Sequence, residues 1–156
     1  MRRLVCVLAL CALAACGPPA PANKGQPTSA APAPTPAEIE SAIAALPAPY
    51  NQADYEAGRR VFAQCRSCHT IEAGAPNRVG PNLHGVFERE IGSVEGFTYS
   101  QPVRDADFVW DAEHLDHWLA NPQTFLPGNR MAFAGVRDET QRRDVIAFIM
   151  IASADD

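Results

Sequence analysis

Cys65-Arg66-Ser67-Cys68-His69 is the segment of this chain whose residue types and spacing carry chemistry most directly. The pattern C-x-x-C-H reads as an attachment site for a c-type haem. Two thiols at this spacing on a helical end can add to the two vinyl groups of one haem. The adjacent His69 is then held beneath the iron as a ligand. Two other chemistries fit a cysteine pair. A thioredoxin-like redox couple wants a βαβ context, which the chain lacks. A zinc site would need further ligands from His84, His114 or His117, at no recognised spacing.

A six-coordinate haem iron needs a second ligand, and three methionines are available: Met1, Met131 and Met150. Met1 opens an export leader. Met150 sits one step off the apolar face of a C-terminal helix. Met131 comes after Pro127-Gly128-Asn129-Arg130, a turn-rich stretch that can deliver a side chain rigidly. A lone methionine filling a gap in the core is the competing reading.

The elements that must position these residues are helices. Asp54 to Gln64 carries Ala57, Val61 and Phe62 on one side. Asp111 is a good N-cap for a second helix with Leu115, Trp118 and Leu119, stopped by Asn121-Pro122. Asp138 and Gln141 start a third, with Val145, Phe148, Ile149 and Ala152 on one face. No segment alternates long enough for a strand. Between Thr70 and Asp107 lies a long irregular stretch punctuated by Gly74, Gly80, Gly85, Gly92 and Gly96. So long a loop in a compact domain needs an organiser, and a large cofactor would serve.

Length and composition bound the rest. The 156 residues suit one domain with appendages. A net charge of -5 argues against nucleic acid as a partner. Residues 17–49 hold nine prolines, ten alanines and no aromatic residue. This composition predicts a polyproline-II-like spacer, of about 100 Å at full extension. Thr35-Pro36-Ala37-Glu38 is a capping-box pattern ahead of Ile39, Ile43 and Leu46. It predicts a marginal helix that melts without a partner. The packed domain is expected over residues 50–156, which carry 16 acids, 10 arginines and no lysine.

Arg2 and Arg3 precede ten apolar residues, Leu4 to Leu13, in the manner of an export signal. No run is long enough to span a bilayer. Leu13-Ala14-Ala15-Cys16 resembles the lipobox of bacterial lipoproteins. The resemblance implies a signal over residues 1–15, lipid on Cys16 and a lipid-anchored domain on the periplasmic side of a bacterial membrane. An ordinary signal peptide cut near Ala15 is the alternative. The cysteine count closes with the lipoprotein reading: Cys6 and Cys11 leave with the leader, Cys16 takes lipid, and Cys65 and Cys68 take haem.

From Tyr55 onward the chain resembles a mitochondrial-type class I cytochrome c. The resemblance rests on the haem motif, Gly80-Pro81-Asn82-Leu83-His84-Gly85, Gly96-Phe97-Thr98-Tyr99, Trp110, Asn121-Pro122 and Pro127 to Gly135. It implies an all-α fold, with helices and long loops wrapped round one covalent haem c. It implies His69 and Met131 as the axial iron ligands, with the Pro81 carbonyl on the free ring N–H of His69. Arg89, Tyr99 and Trp110 match residues that hydrogen-bond the haem propionates. Gly58 and Phe62 would pack against Val145 and Phe148 where the first and last helices of the domain cross. The implied function is one-electron carriage by a monomer, not enzymatic turnover. Its redox partners would be a quinol–cytochrome c oxidoreductase and a terminal oxidase. A haem enzyme or gas-binding protein with an open distal site is the alternative.

The chain departs from that family at three places. Trp118 stands where a tyrosine is common. Asn129 replaces a frequent threonine at a propionate contact, and Val103 an asparagine of a buried polar network. The lysine-rich docking face is missing. Arg66, Arg78 and Arg130 are expected to leave a local basic spot on an acidic molecule.

Overall fold

A computed structural model describes residues 33–154 of the chain. The leader, Cys16 and most of the proline-rich spacer lie outside those residues. Among the described residues six α-helices occur in chain order: α1 (Pro36–Ala45), α2 (Tyr55–Phe62), α3 (Gln101–Asp105), α4 (Ala112–Ala120), α5 (Pro122–Phe125) and α6 (Glu139–Ala152). Two 3-10 turns, Tyr50–Gln52 and Cys65–Ser67, flank α2. Among the described residues the one β-type pairing is an isolated antiparallel bridge between Glu90 and Val109. The fold is therefore all-α, in agreement with the sequence.

The three helices expected from periodicity all form, and their ends are set by capping. Asp54, Asp111 and Asp138 each accept a backbone N–H three residues on, from Ala57, His114 and Gln141, at 2.9, 2.7 and 2.8 Å. Asn121 ends α4 but does not end helical structure. Its Oδ1 accepts the Thr124 N–H at 3.2 Å, and Pro122 occupies the first position of a further short helix. That turn, α5, and the short α3 within the irregular stretch are the elements that periodicity alone did not reveal.

The scaffold is a crossing of α2 and α6. Phe62 is fully buried, with its ring 5.0 Å from that of Phe148, which is also buried; the half-buried Tyr55 ring lies 5.2 Å from Phe148. Each such buried ring contributes roughly 1.5–3 kcal/mol. Gly58 sets the closeness of the crossing: a Cβ there would lie 2.1 Å from the Asp144 carbonyl oxygen. Arg142, nearly buried on α6, ties the crossing to α4. It donates to Asp116 at 2.8 Å and to the carbonyls of Val136 and Arg137 at 3.0 Å. Leu115, Trp118 and Leu119 of α4, with Val145, Ile146 and Ile149 of α6, complete the core.

α1 is formed and packed. Both halves of its capping box are made: the Glu38 N–H donates to Thr35 Oγ1, and the Thr35 N–H to Glu38 Oε2. The expected melting without a partner does not apply, because α1 packs against the Tyr50–Gln52 turn and α6. The compact unit accordingly starts at Ala33, ahead of the aromatic-rich region.

Candidate functional site

α2 unwinds after Phe62 into the tight turn that carries the cysteines. The N–H groups of Cys68 and His69 both donate to the Cys65 carbonyl, at 3.0 and 2.9 Å. Both thiols are free and half-buried. Cys65 also packs against the hydrophobic core, and burial pushes its thiol pKa up to about 11. It is therefore a neutral thiol at neutral pH rather than a thiolate.

His69 is fixed by the loop that runs on to Pro81. Its Nδ1 lies 2.7 Å from the Pro81 carbonyl oxygen. A carbonyl only accepts, so Nδ1 carries the proton and Nε2 keeps a free lone pair. Burial holds the ring below the usual histidine pKa, with the Pro81 bond opposing. Gly80 makes the seat: a Cβ there would lie 2.3–2.7 Å from three ring atoms. Side-chain and backbone bonds hold the loop itself. The Gly80 N–H reaches the Cys68 carbonyl at 2.8 Å. Asn82 Nδ2 donates to Thr70 Oγ1 at 2.7 Å, and Thr70 Oγ1 donates to the Pro76 carbonyl at 2.9 Å.

Met131 lies half-buried against the same core cluster as Cys65 and Trp110. Gly128 turns the chain at φ 82, and Asn129 fastens the turn on either side of it. Asn129 Nδ2 donates to the Pro122 and Leu126 carbonyls, both at 2.8 Å, while its Oδ1 accepts the Met131 N–H at 2.9 Å. Gln123 adds a bond to the Met131 carbonyl at 3.2 Å. Met150 also packs on the cluster, from α6.

Arg89, Tyr99 and Trp110 come together through the chain around them. The Trp110 N–H donates to the Arg89 carbonyl at 2.9 Å. The Arg89 guanidinium is half-buried and donates to two neutral carbonyls, of His84 and Asn82, at 2.8 and 3.1 Å. Burial lowers its pKa, with Tyr99 opposing. The Tyr99 hydroxyl accepts the Val94 N–H at 3.3 Å. Beside Tyr99, Ser100 Oγ is buried and, among the described residues, has no hydrogen-bond partner.

The chain is 39% identical over 108 residues to a cytochrome c of Kluyveromyces lactis, a match covering 69% of this chain and 98% of that protein. It is 42% identical over 113 residues to cytochrome c2 of Blastochloris viridis, covering 72% of this chain and 89% of that one. Cytochrome c-550 of Ancylobacter novellus is 42% identical over 101 residues, 63% of this chain and 94% of the relative. The chain belongs to the class I cytochrome c family. No protein-family model matches it.

The residues present fit the haem of a class I cytochrome c. Cys65 and Cys68 are two unpaired thiols one tight turn apart. The adjacent imidazole has its Nδ1 occupied and its Nε2 lone pair free. Arg89, which donates to the neutral carbonyls of His84 and Asn82, and the Ser100 hydroxyl, without a partner among the described residues, suit the acid groups of a haem edge. The zinc alternative finds no support in this arrangement. Among the described residues, no three His, Cys, Asp or Glu side chains converge as metal ligands.

Sequence reasoning missed Ser100 and read Asn129 only as a replacement at a propionate contact. Ser100 was legible only as the N-cap of a helix that periodicity did not reveal, and its hydroxyl makes no cap bond. Asn129 stood out only as a departure from threonine. Its hydrogen bonds go to its own loop, so it positions Met131.

Proposed function

We propose that the domain is a one-electron carrier built on a single covalent haem c. Cys65 and Cys68 would hold the group by thioethers, and His69 Nε2 and Met131 Sδ would be the axial ligands. When bound, the haem supplies an Fe(III)/Fe(II) couple, which His/Met ligation and a dry surround set at a high potential. The 2.7 Å contact between His69 Nδ1 and the Pro81 carbonyl carries this reading. It fixes the tautomer that leaves Nε2 free, and it raises ligand basicity.

The remaining residues orient the group and exclude water. Asn129 fastens the methionine loop. Trp110, Trp118 and Phe125 close an apolar wall, with Trp110 and Trp118 at 5.5 Å and Trp118 and Phe125 at 6.0 Å. Arg89, Tyr99, Trp110 and Ser100 would receive the propionates. A redox titration of the holoprotein tests the carrier role. A reversible one-electron wave with an unchanged ligand set in both states supports it. Ligand loss on reduction, or turnover of peroxide, contradicts it.

The finer reading is a carrier anchored through lipid on Cys16, on the periplasmic side of a bacterial membrane. Residues 1–15 are then its signal, and a proline-rich spacer leads to the domain. A tether raises the effective concentration of membrane-bound partners. A quinol–cytochrome c oxidoreductase and a terminal oxidase are the proposed donor and acceptor. The docking rim is proposed around Arg66, Arg78 and Arg130. Val79, 80% exposed, offers an apolar contact beside Arg78. Arg66 is partly neutralised by Glu72 at 3.1 Å, so Arg78 and Arg130 carry more of the steering. A steep fall in reduction rate with salt supports this rim, and a flat response contradicts it.

A further inference from the structure

We propose that residues 35–49 are a folded strap that fixes the root of the N-terminal segment beside the start of α2, at the end remote from the cysteines. Ile39, Ala42 and Ile43 of α1 fall at i, i+3 and i+4, Leu46 caps its C-terminal end, and all four are half-buried, while the residues between them are exposed. The face is seated on the Tyr50–Gln52 turn and α6. Pro36, Ile39 and Ile43 share one cleft with Ala53, Asp54 and Tyr55. The Tyr50 N–H returns to the Pro47 carbonyl at 2.9 Å, closing the path from α1 into α2. A helix this short is marginal in isolation. Its made capping box and its seated apolar face account for its order together.

The location has a functional consequence, which rests on the lipid-anchored reading above. Tyr55 opens α2, Phe62 closes it about 10 Å along the helix axis, and Cys65 lies in the turn beyond. The strap is seated on the Tyr50–Gln52 turn just ahead of the Tyr55 end. A tether rooted there joins the domain at the Tyr55 end of α2 and not at the Cys65–Cys68 turn. Counted from the strap instead of from residue 50, the chain between Cys16 and the domain is residues 17–34, with a greatest reach of about 55 Å in place of about 100 Å.

Hydrogen exchange on the full-length holoprotein tests the strap, with the haem absorption spectrum recorded on the same sample. Amides of Ile39 to Leu46 should exchange at least tenfold more slowly than in an unstructured chain. The double variant Ile39→Asp/Ile43→Asp should abolish that protection. It should also speed exchange in the Ala53–Glu56 peptide and leave the Cys65–His69 peptide and the spectrum unchanged. Thr35→Ala, which removes only the capping box, should give an intermediate loss. Native strap amides exchanging at the unstructured rate would overturn the proposal. So would a double variant as slow as native, or one that perturbs the cysteine peptide in place of Ala53–Glu56. Failure of the electron-carrier reading would appear separately, as a missing c-type spectrum.

Discussion

Asn129 holds Met131 by its backbone: the carboxamide oxygen accepts the Met131 N–H at 2.9 Å. The amide nitrogen of the same side chain bridges the Pro122 and Leu126 carbonyls at 2.8 Å. Asn129 is only 7% exposed, so water cannot replace these partners. The methionine loop is thus pinned at three backbone points by one side chain. Replacing Asn129 by Ala should strand those groups and cost about 2 kcal/mol of stability. The far-red ferric band of a sulfur–iron bond should weaken at a lower temperature than in the native protein. Urea unfolding and a thermal scan of that band read the two effects.

Gly80 and His69 give a steric test. A methyl at position 80 would overlap the imidazole ring, the nearest atom lying 2.3 Å away. Gly80→Ala should displace the ring from the Pro81 carbonyl, at a cost of about 1–3 kcal/mol. Denaturant titration of the holoprotein measures that cost. Histidine ring proton shifts in the reduced state report the ring movement.

Gly58 tests the scaffold without touching the site. Its Cβ would meet the Asp144 carbonyl at 2.1 Å and the Phe148 Cβ at 2.9 Å. Gly58→Ala should force α2 and α6 apart and destabilise by about 2–3 kcal/mol. The ferrous spectrum at low denaturant should stay native.

Ser100 gives a result whose sign is informative. Removing a buried hydroxyl that has no partner should be neutral or stabilising, whereas removing one that bonds a haem acid group should cost about 1 kcal/mol. Ser100→Ala is expected to lower the stability of the holoprotein. An unchanged or raised midpoint would mean that the hydroxyl does not reach the group.

Asp111 supplies a pH dependence. The His114 backbone N–H, first of several partners, holds its carboxyl below the ordinary value of 3.8. A lowered folded pKa contributes stability that is present above the unfolded value and lost as pH falls through the folded one. The α4 cap should therefore weaken only in acid below about pH 4. Asp111→Asn keeps the accepting oxygen without the titration, and it should flatten the acid limb of the stability curve.

What the sequence made legible was whatever has a local signal. Asp111 and Asp138 announced two helix starts because an N-cap is read within four residues, and Ala57, Val61 and Phe62 announced a third helix by their spacing. The C-x-x-C-H spacing and the Pro81 and Met131 segments pointed to the site. α3 and α5 escaped because four- and five-residue helices show no period. α1 was read as marginal because its stability comes from Tyr50 and α6, which helical propensity does not register. The role of Asn129 escaped for a similar reason. Asparagine in a turn usually bonds its nearest backbone, and only the fold shows its reach from Pro122 to Met131.

His69 and Met131 are proposed to hold one covalent haem between them. The most direct measurement is the ferric and ferrous absorption spectrum of the holoprotein beside Met131→Ala and Met150→Ala. The expected result is a c-type ferrous spectrum in all three, with the far-red ferric band present in the native protein and Met150→Ala and absent from Met131→Ala. A band that survives in Met131→Ala, or a native protein that binds haem without it, would rule out Met131 as the iron ligand.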